Sequence, residues 1–463
     1  MNKLSSQQRK LVYLVAIALL AIPIILLGAP AGQSGAADEA KADAAAAGGG
    51  VLAQMRREND LGETNLGAVD PSSTTMNFVL FGLRGIAVNQ LWMQALKNQK
   101  TKNWAQLKAD VDSIILLQPH FVKVWEFQGW NLSYNVSGEW DLVEDKYYWI
   151  KEGAKFSIRG TKRNAKDAAL FWWVGIILGD KISRHDAWMY MRKYFNPDAY
   201  KKDEDKDIRG DPDIRRKSGG SRIVPDPVLN PRGIDNYLVA KRWFQTANDK
   251  DRVRPQRRMA RVAFRQRPAR SQLAYAEMLQ REGRFDEEST MIEAWRVGLD
   301  DWIKFGQEEY ESGAGRTTVA NSNMLKRVVN YNYWKTRAEV EMMPLTIQAH
   351  RRIFDGKAHL KVNEPSEAIK DLEIGLSLFA KLMKAHPELQ TKDESVEEVM
   401  IGILAWRAAR KQIIADVLEN DLPGTNPPIV TKKGVDMLRD VWTRNQAGMQ
   451  EYLRLFKREF PSQ

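Results

Sequence analysis

The chain has 463 residues, 43% hydrophobic and 28% charged, with a formal net charge of +11 and no cysteine. That composition can bury a core and excludes a chain disordered throughout. The lack of cysteine excludes disulfides, thiolate metal sites, a cysteine nucleophile and lipid attachment at a lipobox; the basic balance favours acidic partners and is silent on fold.

Residues 1–10 carry Lys3, Arg9 and Lys10, and the run LVYLVAIALLAIPIILL that follows has no charge. The next basic residue is Lys41, after Asp38 and Glu39. This asymmetry predicts a cytoplasmic N-terminus, with everything after Gly28 outside. A spanning helix needs roughly 17–25 apolar residues, so residues 11–31 read as a single-pass anchor in the inner membrane, with Pro23 tolerated as a kink. Ala29-Pro30-Ala31 leaves a cleaved signal peptide open as the alternative. Both readings put the main domain on the periplasmic or extracytoplasmic side. Residues 32–75, rich in Ala, Gly and Ser at their start, read as a flexible linker, and Asp70-Pro71-Ser72-Ser73 is a helix-start signal.

Apolar residues then recur at helical spacing. Region 76–197 predicts helices over 76–96, 104–117, 122–134, 140–158, 168–178 and 185–194. Region 198–233 changes character: charges alternate over 201–207, and Pro212, Gly219, Gly220, Pro225, Pro227 and Pro231 follow. It reads as a charged surface loop and a candidate boundary. Region 234–312 predicts helices over 237–246, 255–264, 271–281 and 286–306. Gly313-Ala314-Gly315 breaks the pattern, and region 313–463 predicts helices over 324–355 (kinked or ended at Pro344), 367–385, 395–418 and 434–460. No sustained period-two alternation is present, so the fold class is all-α.

The helices come in pairs. At one junction, Pro119 stops a helix, Trp125 supplies a large anchor, and Gly129, four residues later, lets a partner helix approach closely at a cost in propensity of about 1 kcal/mol. Phe171-Trp172-Trp173-Val174-Gly175 repeats the aromatic-to-glycine spacing, and Gly356, Ala368, Ile369, Leu372 and Gly375 give the small–small–large–small pattern of one repeat. Ser271 to Trp295 matches in part, with Ala276, Gly283 and Phe285 in register and Glu288 where a small residue is expected. These positions resemble the tetratricopeptide repeat, over about residues 76–195 and 267–390. Gly129 and Gly175 are 46 residues apart, against 34 in the standard repeat, so the resemblance implies an irregular α-α solenoid. The stretch LLQPHFVKVWEFQGWNLSYNVS also resembles a group of exported or membrane-anchored planctomycetal proteins, which implies architecture and location rather than chemistry.

No catalytic motif, cofactor site or metal site emerges. His120, His185, His350, His359 and His386 form no close ligand pair, and they read as surface or junction histidines. Gly313-Ala314-Gly315-Arg316-Thr317-Thr318 lacks the lysine of a phosphate loop. The aromatics Trp125, Phe127, Trp130, Trp172 and Trp173 read as core. The most suggestive stretch is 252–270: Arg254, Arg257, Arg258, Arg261 and Arg265 would share one helix face. That face is either a solvated surface paired with the acidic loop before it, or a dock for an acidic protein or anionic lipid. Nucleic acid is not expected across the membrane. The sequence therefore predicts a membrane-tethered scaffold that binds a protein or peptide partner and has no enzyme activity. The alternatives are a polysaccharide-processing hydrolase of the envelope and a self-assembling envelope protein.

Overall fold

A computed structural model describes residues 84–200, 209–253, 255, 261–311, 319–391, 393–413 and 435–461. Among the described residues every regular element is helical and there is no strand. No helix among them is long and apolar enough to cross a membrane; the expected anchor at residues 11–31 lies outside the described residues, as does the linker 32–75. The chain divides into two compact units, Met1–His120 and Phe121–Gln463.

The described part of the first unit is a helical hairpin. Helix α1 (Arg84–Lys100) and helix α2 (Trp104–Leu117) join through a turn in which Lys102 holds a φ of 55°. Asn103 starts α2 by accepting from the Gln106 amide, which satisfies one of the helix's free N-terminal donors. Asn98 Nδ2 donates to Asp110 Oδ2 at 2.7 Å across the hairpin. Ala95, Leu107, Val111 and Ile114 are its buried stripe.

The second unit runs through α3 (Val122–Trp130), α4 (Val143–Arg163), α5 (Ala168–Ile176), α6 (Trp188–Phe195), the short α7 (Pro212–Lys217) and α8 (Asn236–Val253). It continues with α9 (Arg261–Arg265), α10 (Arg267–Arg281), α11 (Glu288–Gly306), α12 (Val319–Val328), α13 (Tyr331–Glu341) and α14 (Pro344–Lys361). The last elements are α15 (Pro365–Ala385), α16 (Asp393–Ile413), α17 (Val435–Arg444) and α18 (Met449–Glu459). A π-helical turn extends α3 (Asn131–Val136), α5 (Ile177–Lys181) and α11 (Gln307–Glu311). The packing is serial: α3 on α4, α4 on α5, α5 on α8, α8 on α10, α10 on α11 and α11 on α13, then α14 on α15, α15 on α16 and α16 on α18. Such stacking buries the apolar face of each helix against its neighbours.

Three of these pairs cross in the same way. The first helix presents a glycine, and the second presents three residues spaced by four and three: Gly129 with Gly153–Ser157–Gly160, Gly175 with Ala240–Phe244–Ala247, Gly356 with Ala368–Leu372–Gly375. The middle residue of each triplet faces the glycine. A Cβ on Gly129 would run into Ser157 Oγ, one on Gly175 would lie 2.7 Å from the Phe244 ring, and one on Gly356 would lie 3.0 Å from the Leu372 amide nitrogen. The contacts are reciprocal. A Cβ on Gly153 would lie 2.7 Å from the Gly129 carbonyl, and one on Gly375 would lie 3.1 Å from the Ala349 carbonyl. Glycine is required here because backbone meets backbone. The α10/α11 pair repeats the end of the pattern, with Gly298 against Leu273. Trp125 is buried, lies 5.0 Å from Phe156 between ring centroids and covers Gly160 on α4. Pro119 stands in the turn after α2.

Several element boundaries differ from expectation. The predicted helix over 324–355 ends at Pro344 as expected, where α14 opens, but it is also broken at Asn330, which adopts φ 53° between α12 and α13. The predicted 434–460 helix divides around Gln446–Gly448. In the stretch expected as a surface loop, Arg209, Asp211, Asp226, Leu229 and Asn230 are buried. Since α5 pairs with α8, that stretch is an insertion inside one helical pair.

Candidate functional site

Of the expected basic face, Arg254, Arg257 and Arg258 lie outside the described residues. Helix α8 ends at Val253 and α9 opens at Arg261. Arg265, expected to point to water, is instead buried. Its Nη2 donates to Asp251 Oδ2 at 2.8 Å and its Nη1 to the Asn248 carbonyl at 3.1 Å, while Asn248 Nδ2 donates back to the Arg265 carbonyl at 3.1 Å. A buried guanidinium needs such partners to offset its lost hydration. Arg265 thus closes α9 onto the end of α8. Arg252 pairs at the surface with Asp249 and Glu308.

Two buried clusters hold the insertion between α5 and α8. Lys151 of α4 reaches Asp211 and Asp213 at 2.7 Å each, and Lys155 reaches Asp226 at 2.8 Å. Burial pushes the Asp226 carboxyl up, but the Lys155 bond and charge outweigh it and hold it below its ordinary value. Asp211 also caps α7 by accepting from the amides of Asp213 and Ile214. The second cluster centres on Arg192 of α6, which reaches Asp235 at 2.6 Å and Glu282 at 2.5 Å and also donates to Asn236 Oδ1. Tyr200 donates to the same Glu282; burial, first among its causes, holds that phenol well above its ordinary value, so it keeps its proton.

A third cluster contains a histidine that the sequence placed at the surface or a junction. His350 is buried, with Nε2 2.7 Å from Glu341 and Nδ1 2.8 Å from Glu398. Burial lowers its pKa, but the two carboxylates outweigh burial and raise it to about 10. Burial likewise raises that of Glu341, but His350 and Arg337 outweigh it and bring it to about 2. The ring is therefore an imidazolium at neutral pH, donating from both nitrogens. It has no lone pair for a substrate proton or a metal. It ties the last residue of α13 to α14 and α16, while Gln280 of α10 donates to Glu341 at 2.8 Å. Among the described residues no group of three His, Asp or Glu side chains could hold a metal ion.

Two clefts open beside α10. The larger, about 300 Å³, lies between α8, α10 and α11; its cations Arg252, Arg265 and Lys304 face Asp249, Asp301, Glu308 and Glu309. The smaller, about 180 Å³, lies between the turn after α5, α8 and α10; its lining includes Arg184, Arg267, Arg270 and Asp180, and the Glu277 charge also acts on Arg184. Each cleft takes acidic residues from a π turn: Glu308 and Glu309 from the one ending α11, Asp180 from the one ending α5. Such turns concentrate at functional sites because they re-aim side chains that a regular helix would place elsewhere.

Comparison with protein-family models and with curated proteins finds no match to this chain. The sequence reading missed the arginine cleft and the His350 tie. Arg184 lies in the bend after the π turn that extends α5 and Arg267 opens α10, far apart in the chain, and Glu398 is 48 residues from His350, so no local spacing signals either group.

Proposed function

We propose that this chain is a membrane-tethered, extracytoplasmic scaffold of tetratricopeptide-like helix pairs that binds a protein or peptide partner. The observation that carries the reading is the shared crossing of α3/α4, α5/α8 and α14/α15, with a glycine facing the middle of a triplet spaced by four and three. In the last pair the glycine precedes the triplet by 12 residues, and its Gly356, Ala368 and Gly375 are among the positions that resemble the tetratricopeptide repeat. Serial stacking of such pairs leaves extended helix faces for a partner. The apolar run at residues 11–27 and its flanking charges support the tether and the outside location. A tether raises the local concentration of the scaffold for any partner at the same membrane.

Chemical crosslinking in native membranes, followed by affinity recovery of the full-length chain, tests the reading. A discrete second protein, recovered reproducibly and lost when α3/α4 is overpacked by Gly129→Leu, is the expected result. Recovery of crosslinked copies of this chain alone would replace the scaffold with a self-assembling envelope protein. Protease added outside spheroplasts should digest the chain while its first ten residues stay protected; full protection would overturn the location.

A further inference from the structure

Helix α1 carries apolar residues on two sides. Val88 and Ala95, seven apart, are buried on one of them. On the other, Ile86 is 69% exposed and Met93 58%. Residues seven, four and three apart lie on one side of a helix, so Ile86, Met93, Lys97 and Lys100 form a single outward stripe, and both lysines are exposed. The uncharged and exposed Asn89 and Gln90 complete it. Helix α1 contains no acidic residue. The acids of α2 are turned in or held: Asp110 is buried against Asn98 and Gln106, and Asp112 pairs with Lys108 at 2.6 Å. The stripe therefore presents apolar and basic groups with no carboxylate of its own.

We propose that this outer stripe of α1 lies on an anionic membrane surface, with Ile86 and Met93 at the boundary of headgroups and acyl chains and Lys97 and Lys100 against the lipid phosphates. Interfacial helices bind in this way: apolar side chains sink into the boundary, and lysine stems carry their charge out to the headgroups. The two lysines, with no acid beside them, select an anionic lipid over a neutral one. Size decides against a protein partner. A stable protein interface needs about 800 Å² on each side, which two apolar side chains do not supply. A membrane contact can be far weaker when the chain is already held there. A flexible linker as long as residues 32–75 has a root-mean-square span of about 33–40 Å, so the tether keeps α1 at high effective concentration beside the bilayer. The inference rests on the proposed tether for that proximity and on α1 alone for the face.

Because the chain has no cysteine, Met93→Cys gives one attachment point for a fluorophore whose emission shifts to the blue on leaving water. The labelled full-length chain is reconstituted into phosphatidylcholine vesicles with or without phosphatidylglycerol. A blue shift and shielding from an aqueous quencher are expected with phosphatidylglycerol and not without it. A label at Lys108→Cys on α2, where the side chain is 71% exposed, should stay in water. Lys97→Gln together with Lys100→Gln should lower the ratio of shielded to free label about thirtyfold, since each lysine near an anionic surface contributes about fivefold. A label open to the quencher on both kinds of vesicle overturns the contact, and so does shielding that the double substitution leaves unchanged. Shielding that grows with chain density and ignores lipid charge also overturns it, and assigns the stripe to a second copy of the chain. Alkaline extraction of the same vesicles reports the tether separately. A retained chain with an open label keeps the tether and loses the α1 contact. An extracted chain whose label is still shielded on added phosphatidylglycerol vesicles keeps the contact and loses the tether.

Discussion

Two hairpins of the second unit close with the same contacts over very different lengths of chain. In α14/α15, Gly356 meets Leu372 and Gly375 meets Ile353 across the turn 362–364, where Asn363 takes a φ of 63°. In α5/α8, Gly175 meets Phe244 and Gly179 meets Ala240, although residues 182–235 intervene. Closing a longer loop costs only about 0.6 kcal/mol per doubling of length, so helix faces can specify the crossing in both cases. What differs is how the intervening chain is held. The short turn needs one left-handed residue. The insertion brings apolar anchors of its own, Met191, Tyr194, Phe195 and Leu229, and it is pinned by the charges around Lys151 and Arg192. Apolar contacts can slide, whereas a buried ion cluster has one satisfactory geometry. The pair is therefore encoded by shape and the insertion by charge.

The largest effect should come from breaking the charge side of that contrast. Arg192→Ala leaves Asp235 and Glu282, each 4% exposed at the side chain, buried without their cation. Stranding buried charge in this way costs about 3–5 kcal/mol. Hydrogen exchange should show the loss in α6 and the start of α8, with α14 and α15 still protected. Uniform loss of protection would mean that the insertion and the pairs are one cooperative structure and the contrast is false.

The shape side is tested by Gly175→Leu and Gly356→Leu. Each forces a branched side chain into an occupied contact, the Phe244 ring at Gly175 and the Leu372 side chain and backbone at Gly356, at a cost of about 1–3 kcal/mol. If the two crossings are the same device, denaturant midpoints should fall by similar amounts. Tolerance of Gly175→Leu beside failure of Gly356→Leu would show that the insertion lets α5/α8 adjust and that only the short hairpin depends on the glycine.

This contrast also explains what the sequence revealed. Trp125, Gly129, Gly175, Gly356, Ala368 and Gly375 were readable because each packing position repeats at fixed helical offsets. The partner triplets of the first two pairs were not, because they begin 24 and 65 residues after their glycines instead of 12. Gly153–Ser157–Gly160 and Ala240–Phe244–Ala247 carry the right spacing within themselves, and a search that allowed insertions between the helices would have found them. The basic stretch is described only in part: Arg265, expected on its outward face, turns in to Asp251, because an acid 14 residues earlier in the chain is met only once α9 folds back on α8. Buried charge clusters have no local signature at all: their members come from separate helices and meet only once the pairs have stacked.

A smaller and pH-dependent effect separates the regions further, because α14 also carries buried charge. The His350 pKa rises from 6.5 to about 10 on folding. Its contribution is complete below pH 6.5 and is lost as pH climbs through 10. Glu341 moves the other way, from 4.5 to about 2, so its contribution is complete above pH 4.5 and is lost as pH falls through 2. Asp226, held below its ordinary value by Lys155, adds to the acid limb from the insertion side. The alkaline limb thus reports the α13–α14–α16 tie. His350→Gln should flatten the decline of melting temperature between pH 7 and 10. Parallel curves for wild type and variant would remove the imidazolium from the account.

The smallest effect sharpens the claim that burial, rather than short distance, makes a charge an anchor. Arg296 of α11 sits 2.6 Å from Glu293 and 3.4 Å from Asp300, as close as the contacts around Lys151 and Arg192. Its side chain is 55% exposed, however, and so is that of Glu293. Water and salt screen such pairs, and holding two long side chains together costs rotamer entropy. Arg296→Gln should therefore leave the melting temperature unchanged within error at physiological salt, while Arg192→Ala lowers it strongly. The bonds differ little in length, so the gap between the two variants measures what desolvation adds. A loss at Arg296 comparable to that at Arg192 would mean that ion pairs stabilise this chain wherever they form, and the insertion would then owe nothing special to its buried clusters.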